Sequence, residues 1–322
     1  MTACLTTPGS WLFERRNLAW LQDPALTAQL PACYRAFAAY CASGLYRRAA
    51  AEAFLRSVIA LRRKSGRDGI APLRLAASFI YLDLHDPRFL RVPIEVDEAA
   101  AQLAPLLRKG DTFIDSGANH GAFSLAAAKL IGPDGYIVAI EPQPRLTKAV
   151  EATLQHAGVP FEVQAVALGN RSGSATLFRQ WASSGSAGLV AGFSAVSRHR
   201  SFHVPIARMD DLFAGRTFPG RILWKLDIEG SELACLQGAS RFLELQRPWI
   251  LMEVNPKAMG RAGTTLEDLV TELEPSGYRF SERNGINESR SLRELRFASD
   301  QLASNFLASS GDHREILLRA DG

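Results

Sequence analysis

The rhythm of apolar positions changes near Gly110. Upstream, residues 24–64 are alanine-rich and helical in period. Leu26, Leu30, Cys33, Tyr34, Phe37 and Cys41 share a face that stops at Gly44, and Tyr46, Ala50, Phe54 and Val58 recur every fourth residue in a second helix. "RKSGRDG" reads as a linker, and "LRLAASFIYLDL" (73–84) and "FLRVPIEV" (89–96) read as two strands around the turn "HDPR". Downstream, short continuous apolar runs alternate with amphipathic ones. "TFIDSG", "GYIVAIEP", "FEVQAVAL", "RILWKLDIE" and "PWILMEV" have the unbroken apolar character of strands buried on both faces. Between them lie helices over 121–131, from Pro144 to Gly158, over 232–243 and near 265–275. A Ser/Gly-rich part, 170–201, reads as irregular; "HVPIARM" reads as a strand, and "YRFSE" and "EILLRA" as an antiparallel edge pair. The pattern predicts an α/β fold over 101–322, doubly wound and mostly parallel, with right-handed crossovers. It is preceded by a helical and hairpin appendage over 1–100, suited to substrate or subunit contacts.

Composition narrows this little. The chain has 322 residues, 47% hydrophobic and 22% charged, which is ordinary for a globular protein. No apolar run is long enough to predict a membrane span, and the first residues lack a signal-peptide pattern. Cys4, Cys33, Cys41 and Cys235 form no C-x-x-C pair, which fits a reduced, cytoplasmic protein. A net charge of +4 is too weak to imply a nucleic-acid partner. The basic residues between Arg47 and Arg67 read as the wet face of a helix.

The candidate chemistry begins at "FIDSGANHGAF", a strand, a glycine turn and a helix start. Such a turn offers free N–H groups to a nucleotide. Dinucleotide turns carry G-x-G-x-x-G, but here the second glycine position is Asn119, so nothing is shaped for a pyrophosphate. Asp115 would repel phosphate and attract an ammonium group, as in the amino-acid end of S-adenosylmethionine. Glu141, at the end of the next strand, is placed to accept ribose hydroxyl hydrogens. The expected cofactor contacts are Asp115, Gly117, Ala118, Asn119, Gly121, Glu141, Pro142, Ala167 and Asp227.

"FIDSGANHGAFSLAAAKLIGPDGYIVAIEPQPRL", "AVALGNRSGSATLF", "VPIARMDDLF", "KLDIEGSELACLQGA" and "WILMEV", in this order, resemble the FkbM-type methyltransferases. The resemblance covers about residues 105–255 and touches the first hundred only around "YLDLHDPRF". It implies a class I methyltransferase (Rossmann-like) fold with a mostly parallel seven-stranded sheet. It also implies methyl transfer from S-adenosylmethionine, most often to oxygen, with sugars and secondary metabolites among the acceptors and nitrogen in some members.

In "KLDIEGSEL", Lys225, Asp227 and Glu229 alternate and would share a face of a regular strand. A carboxylate in a partly dry site suits proton removal from a hydroxyl, and these three residues are the catalytic candidates. Two carboxylates would also suit a divalent cation, although no metal site is predicted. In the competing reading Lys225 merely pairs with Asp227 and Glu229 answers a helix dipole. The stretch Asp227-Ile228-Glu229-Gly230 lacks the Asn/Asp-Pro-Pro-aromatic pattern of base-modifying enzymes. His120, Trp181 and Glu253 are candidate substrate contacts, with Trp181 and Phe193 in a lid over 180–201. O-methylation of a glycan or secondary metabolite is the leading reading and N-methylation of an amide or amine the alternative. The acceptor is thus a small molecule or glycan, and whether the helical segment packs on its own core or in a homodimer stays open.

Overall fold

The computed structural model describes residues 10–76, 78–180, 183–189, 199–282, 290–291 and 314–320. The N-terminal part contains helices α1 (Pro24–Thr27), α2 (Ala32–Ala42) and α3 (Arg48–Lys64), the strands β1 (Ile70–Leu75) and β2 (Ser78–Asp83), and helix α4 (Val92–Leu103). The stripe that α3 buries is Ala51, Leu55, Val58 and Ile59, one position round from the expected Ala50–Phe54 face.

The expected strand pair is corrected twice. "LRLAASFIYLDL" is itself the hairpin, β1 and β2 closing with Leu75 opposite Ser78. Ala76 takes a left-handed φ of 41° at the turn, so the glycine or asparagine that usually betrays a hairpin is absent. "FLRVPIEV" is helical: a 3-10 turn (Pro87–Leu90) leads into α4. Pro93 sits in the first turn of α4, where its missing N–H costs nothing, and Val92, Val96, Ala99 and Leu103 continue the helical period beyond the apparent strand.

The α/β part runs β3 (Thr112–Ser116), α5 (Ala122–Ile131), β4 (Tyr136–Ile140), α6 (Pro144–Leu154), β5 (Phe161–Gln164), β6 (Ala167–Leu168), β7 (Gly173–Gln180), β8 (Ser183–Gly188) and β9 (His199–Ala207). It continues with α7 (Met209–Leu212), β10 (Ile222–Leu226), α8 (Glu232–Gln237), α9 (Ser240–Gln246), β11 (Trp249–Val254), α10 (Pro256–Ala262), α11 (Leu266–Leu273), β12 (Tyr278–Glu282), β13 (Arg290–Ser291) and β14 (Arg314–Ala320). Among the described residues the main sheet has the order β13-β12-β14-β11-β10-β3-β4-β5, eight strands where seven were expected. The five from β11 to β5 are parallel, and β14, β12 and β13 form the antiparallel edge.

Successive residues of the parallel strands enter opposite cores. Ile114, Val138, Trp224 and Ile250 pack with α8, α9 and α11. Phe113, Ile137, Leu223 and Leu251 pack with α4, α5 and α6. Burial on both faces is why these strands read as continuous apolar runs.

The stretch read as irregular holds β7, β8 and the start of β9, the strand expected at "HVPIARM"; with β6 they form a second sheet, β6-β9-β7-β8. "FEVQAVAL" divides between the two sheets: β5 ends at Gln164, and Ala167 pairs with Ile206 of β9. The expected helix over 232–243 is two short helices that meet at Gly238–Ala239. The N-terminal part is pinned to the α/β part. Ala122 and Leu125 of α5 lie in one cluster with Phe89, Val92 and Val96, the Tyr81 N–H donates to Thr153 Oγ1 at 2.9 Å, and Arg145 grips Asp83 through two bonds of 2.9 and 2.8 Å. Among the described residues no helix is long and apolar enough to cross a membrane.

Candidate functional site

The strand order reverses at β3, whose neighbours β4 and β10 are reached in opposite directions, and crevices outside the carboxyl ends of the strands form at such a point. The glycine turn after β3 lies directly against the loop after β10. Gly117 has φ 80°, and a Cβ there would stand 2.0 Å from the Asp227 carbonyl oxygen, so no larger residue fits. The cavity above encloses about 810 Å³, space open to solvent included, which is in the range of small-molecule sites. Its floor contains Gly117–His120, Glu141–Gln143, Lys225 and Asp227–Glu229.

At the end of β4, Glu141 is buried with its carboxylate facing two backbone donors: the Asn119 N–H at 2.9 Å and the Gln143 N–H at 2.8 Å. Burial pushes its carboxyl up to about 7, against the opposing pull of those N–H groups. The Gln143 amide donates to the Ser184 carbonyl oxygen at 3.3 Å, which leaves its buried Oε1 as an acceptor with no partner. Val166, Leu168, Leu177 and Leu189 supply apolar walls nearby, and Pro142 and Ala167 also line the space.

At the end of β10, Lys225 is 5% exposed and lies 3.1 Å from Asp227 and 3.7 Å from Asp115, with its ammonium 4.8 Å from the centre of the Phe123 ring. Burial disfavours its charge, but the two carboxylates outweigh this and hold it above its ordinary range. Asp115 is fully buried beneath the glycine turn, accepts from Ser124 Oγ at 2.6 Å, and does not line the cavity. Burial raises its carboxyl against the attraction of Lys225. Asp227 feels the same burial, but Lys225 and a hydrogen bond with Glu253 bring it below its ordinary value. Gly121 caps α5 outside the lining.

β10 ends at Leu226, and Glu229 reaches the site through a left-handed turn, φ 57°, not through strand alternation. Carboxylate oxygens of Asp227, Glu229 and Glu253 lie within 4.8 Å of one another. The Asp227–Glu253 hydrogen bond requires a shared proton, which relieves part of that crowding. Burial, then repulsion from Glu253 and Asp227, pushes Glu229 well above the ordinary glutamate value. The residue that secures this turn is Glu232, which accepts from the Gly230 N–H at 2.9 Å and the Ile228 N–H at 3.1 Å.

Two contributors were invisible to the pattern. Arg88, from the turn before α4, enters the cavity wall and pairs with Glu95 at 2.8 Å. Strand β8 roofs the space: the Asn119 amide donates to Ser184 Oγ at 3.2 Å, and a Cβ on Gly185 would stand 2.8 Å from the Arg88 guanidinium carbon. His120, placed at a helix start by the sequence, is 1% exposed and lines the cavity. Trp181 and Phe193 lie outside the described residues, as does much of the expected 180–201 lid; its described portions are β8 with Leu189 and the first part of β9.

Residues 115–280 match the model of the methyltransferase FkbM domain. Among solved structures, the chain is similar to a methyltransferase FkbM from Methylobacillus flagellatus KT, with 19% identity, 62% of this chain and 50% of that chain covered, and a TM-score of 0.38. The chain thus spans half the length of that protein. It is similar also to M. jannaschii TYW2 in complex with AdoMet (12% identity, 79% and 86% covered, TM-score 0.40). A SAM-dependent O-methyltransferase from Thermotoga maritima is a third (10% identity, 81% and 82% covered, TM-score 0.36). No curated protein sequence matches the chain.

Proposed function

This chain belongs to the FkbM methyltransferase family, and from that premise we propose that its cavity binds S-adenosylmethionine and directs the methyl group to a hydroxyl of a glycan or secondary metabolite. One observation carries the reading: hydrogen-bond acceptors at the end of β4 and a carboxylate cluster at the end of β10 open into a single cavity beside the glycine turn. The residues present fit the cofactor. Glu141 and the unpartnered Gln143 Oε1 answer hydroxyl and amino donors, Leu168 and Leu177 offer an apolar slot for a base, and no phosphate-shaped glycine stands at Asn119.

When bound, the cofactor supplies an electrophilic methyl group. The chain's own part is orientation and charge. Asp227, held ionised by Lys225, is a hydrogen-bond acceptor for a donor group of the acceptor molecule beside the reacting hydroxyl, and its position at the mouth of β10 orients that molecule. Lys225 keeps Asp115 and Asp227 in place from beneath.

Calorimetry with S-adenosylmethionine and with NAD tests the cofactor: binding of the first alone is expected, and binding of NAD alone overturns the reading. A screen of hydroxyl and amide acceptors with labelled methyl donor, followed by product mass and regiochemistry, tests the acceptor class. A methylated nitrogen would replace the O-methyl assignment.

A further inference from the structure

His120 is buried, it lines the space, and its Nε2 has no hydrogen-bond partner. Its tautomer follows from its neighbour. Asn119 Oδ1 accepts the backbone N–H of His120 at 3.0 Å. That donor is obligatory, so the oxygen of the amide, not its nitrogen, faces the ring. His120 Nδ1 lies 2.7 Å from the same oxygen and must therefore carry the ring proton. In the neutral ring, Nε2 is left with an unshared electron pair.

We infer that His120 Nε2 is the general base of this site, taking the proton from the acceptor hydroxyl; the inference rests on the methyltransfer reading above. As the acceptor oxygen attacks, the oxygen–carbon bond forms and the carbon–sulfur bond breaks with its electron pair going to sulfur. The hydroxyl proton passes to Nε2, and the imidazolium then yields it to water. The carboxylates are less suited to this step. Asp227 is a weakened base through its pair with Lys225, and burial with repulsion from Glu253 and Asp227 favours the protonated form of Glu229. The charged groups facing the ring are Asp83 at the end of β2, Asp86 and Arg88 in the following turn, and Glu95 on α4. Burial, the largest influence, lowers the imidazole below its ordinary value, while the three acids raise it and Arg88 lowers it further. The net result is a neutral ring at pH 7, and the charges of the three acids favour the imidazolium that forms during turnover.

The test uses the full chain and two variants. His120→Asn keeps an amide that donates to Asn119 but removes the group at the Nε2 position. His120→Gln places an amide near Nε2 that accepts a hydrogen bond yet takes up no proton. With the hydroxyl acceptor returned by the labelled screen, turnover at saturating methyl donor should fall by about two to four orders of magnitude in both. Calorimetric affinity for S-adenosylhomocysteine should stay within about threefold, since 0.65 kcal/mol separates values that far apart. Independently of activity, nitrogen-15 spectra of histidine-labelled protein should show the signal lost in His120→Asn as an unprotonated Nε2 at pH 7. Near-wild-type turnover in both variants, or a protonated Nε2 at pH 7, overturns the assignment. Wild-type protein that binds no S-adenosylmethionine overturns instead the reading on which it rests.

Discussion

The floor and the roof of the cavity are made by different rules. The floor comes from the ends of β3, β4 and β10, whose residues are fixed by short-range geometry: a positive-φ glycine, a helix start, and the acids Glu141 and Asp227 directly after a strand end. The roof comes from β8, with Arg88 beside it, and reaches the floor through contacts such as Ser184 with Asn119 and with Gln143. A floor set by backbone conformation fails as a unit when one position changes. A roof assembled from side-chain contacts yields by degrees, and that difference orders the expected effects of substitution.

Gly117→Ala should be the most damaging. The new Cβ meets the Asp227 carbonyl oxygen at 2.0 Å in a backbone that disfavours side chains. We expect about 3 kcal/mol or more lost from folding stability, with cofactor binding abolished in what remains folded. A near-wild-type melting temperature would show the floor to be softer than its geometry.

Asp227→Asn comes next. It keeps the shape of the loop but weakens the pair with Lys225 at 3.1 Å. Turnover per folded molecule should fall about a hundredfold through lost orientation. An unchanged rate would remove this loop from the chemistry.

Glu141→Gln should weaken S-adenosylmethionine binding about ten- to a hundredfold, measured by calorimetry. In the wild type that affinity should also decline as pH falls through about 7, because protonation of Glu141 exchanges an acceptor for a donor. Stability has the opposite sign. A carboxyl raised from 4.5 to about 7 binds its proton more readily in the folded state. Folding stability therefore rises as pH falls from 7 towards 4.5, and Glu141→Gln should flatten that slope.

The roof substitutions are milder. Gly185→Val crowds the flexible end of Arg88 at 2.8 Å and should raise the acceptor's KM several-fold while leaving the melting temperature within about 2 °C. Ser184→Ala loses a bond of 3.2 Å to Asn119 and should cost about 0.5–1.5 kcal/mol in roof closure, read as hydrogen-exchange protection of β8. A floor-sized effect from either would erase the distinction between the two halves.

The same division explains what the sequence disclosed. Phe113, Val138 and Trp224 announce buried strands because their neighbours are apolar too, and Gly117 and Gly121 mark the turn whatever covers it. Arg88 is an ordinary basic residue until the turn before α4 swings it into the cavity wall. His120 resembles a solvent-facing helix start until the N-terminal part packs over it. The hairpin at Ala76 lacks glycine, and the β6–β9 sheet is built from small and polar residues such as Ser174, Ala175 and Thr176, whose pairing depends on strands distant in the chain.

The position of β14 bears on how the chain is made. It lies between β11 and β12 although it follows both in sequence. During synthesis β12 emerges before the strand that must separate it from β11. Translation from residue 254 to residue 314 takes about 3–12 s at roughly 5–20 residues per second. Through that interval the outer edge of β11, with Ile250, Leu251 and Met252 behind it, is an unpaired template for any passing extended segment, including β11 of another nascent copy. The closing strand therefore acts on solubility in the cell before it acts on anything at the cavity, and a chain released before residue 314 would present an open sheet edge to its neighbours.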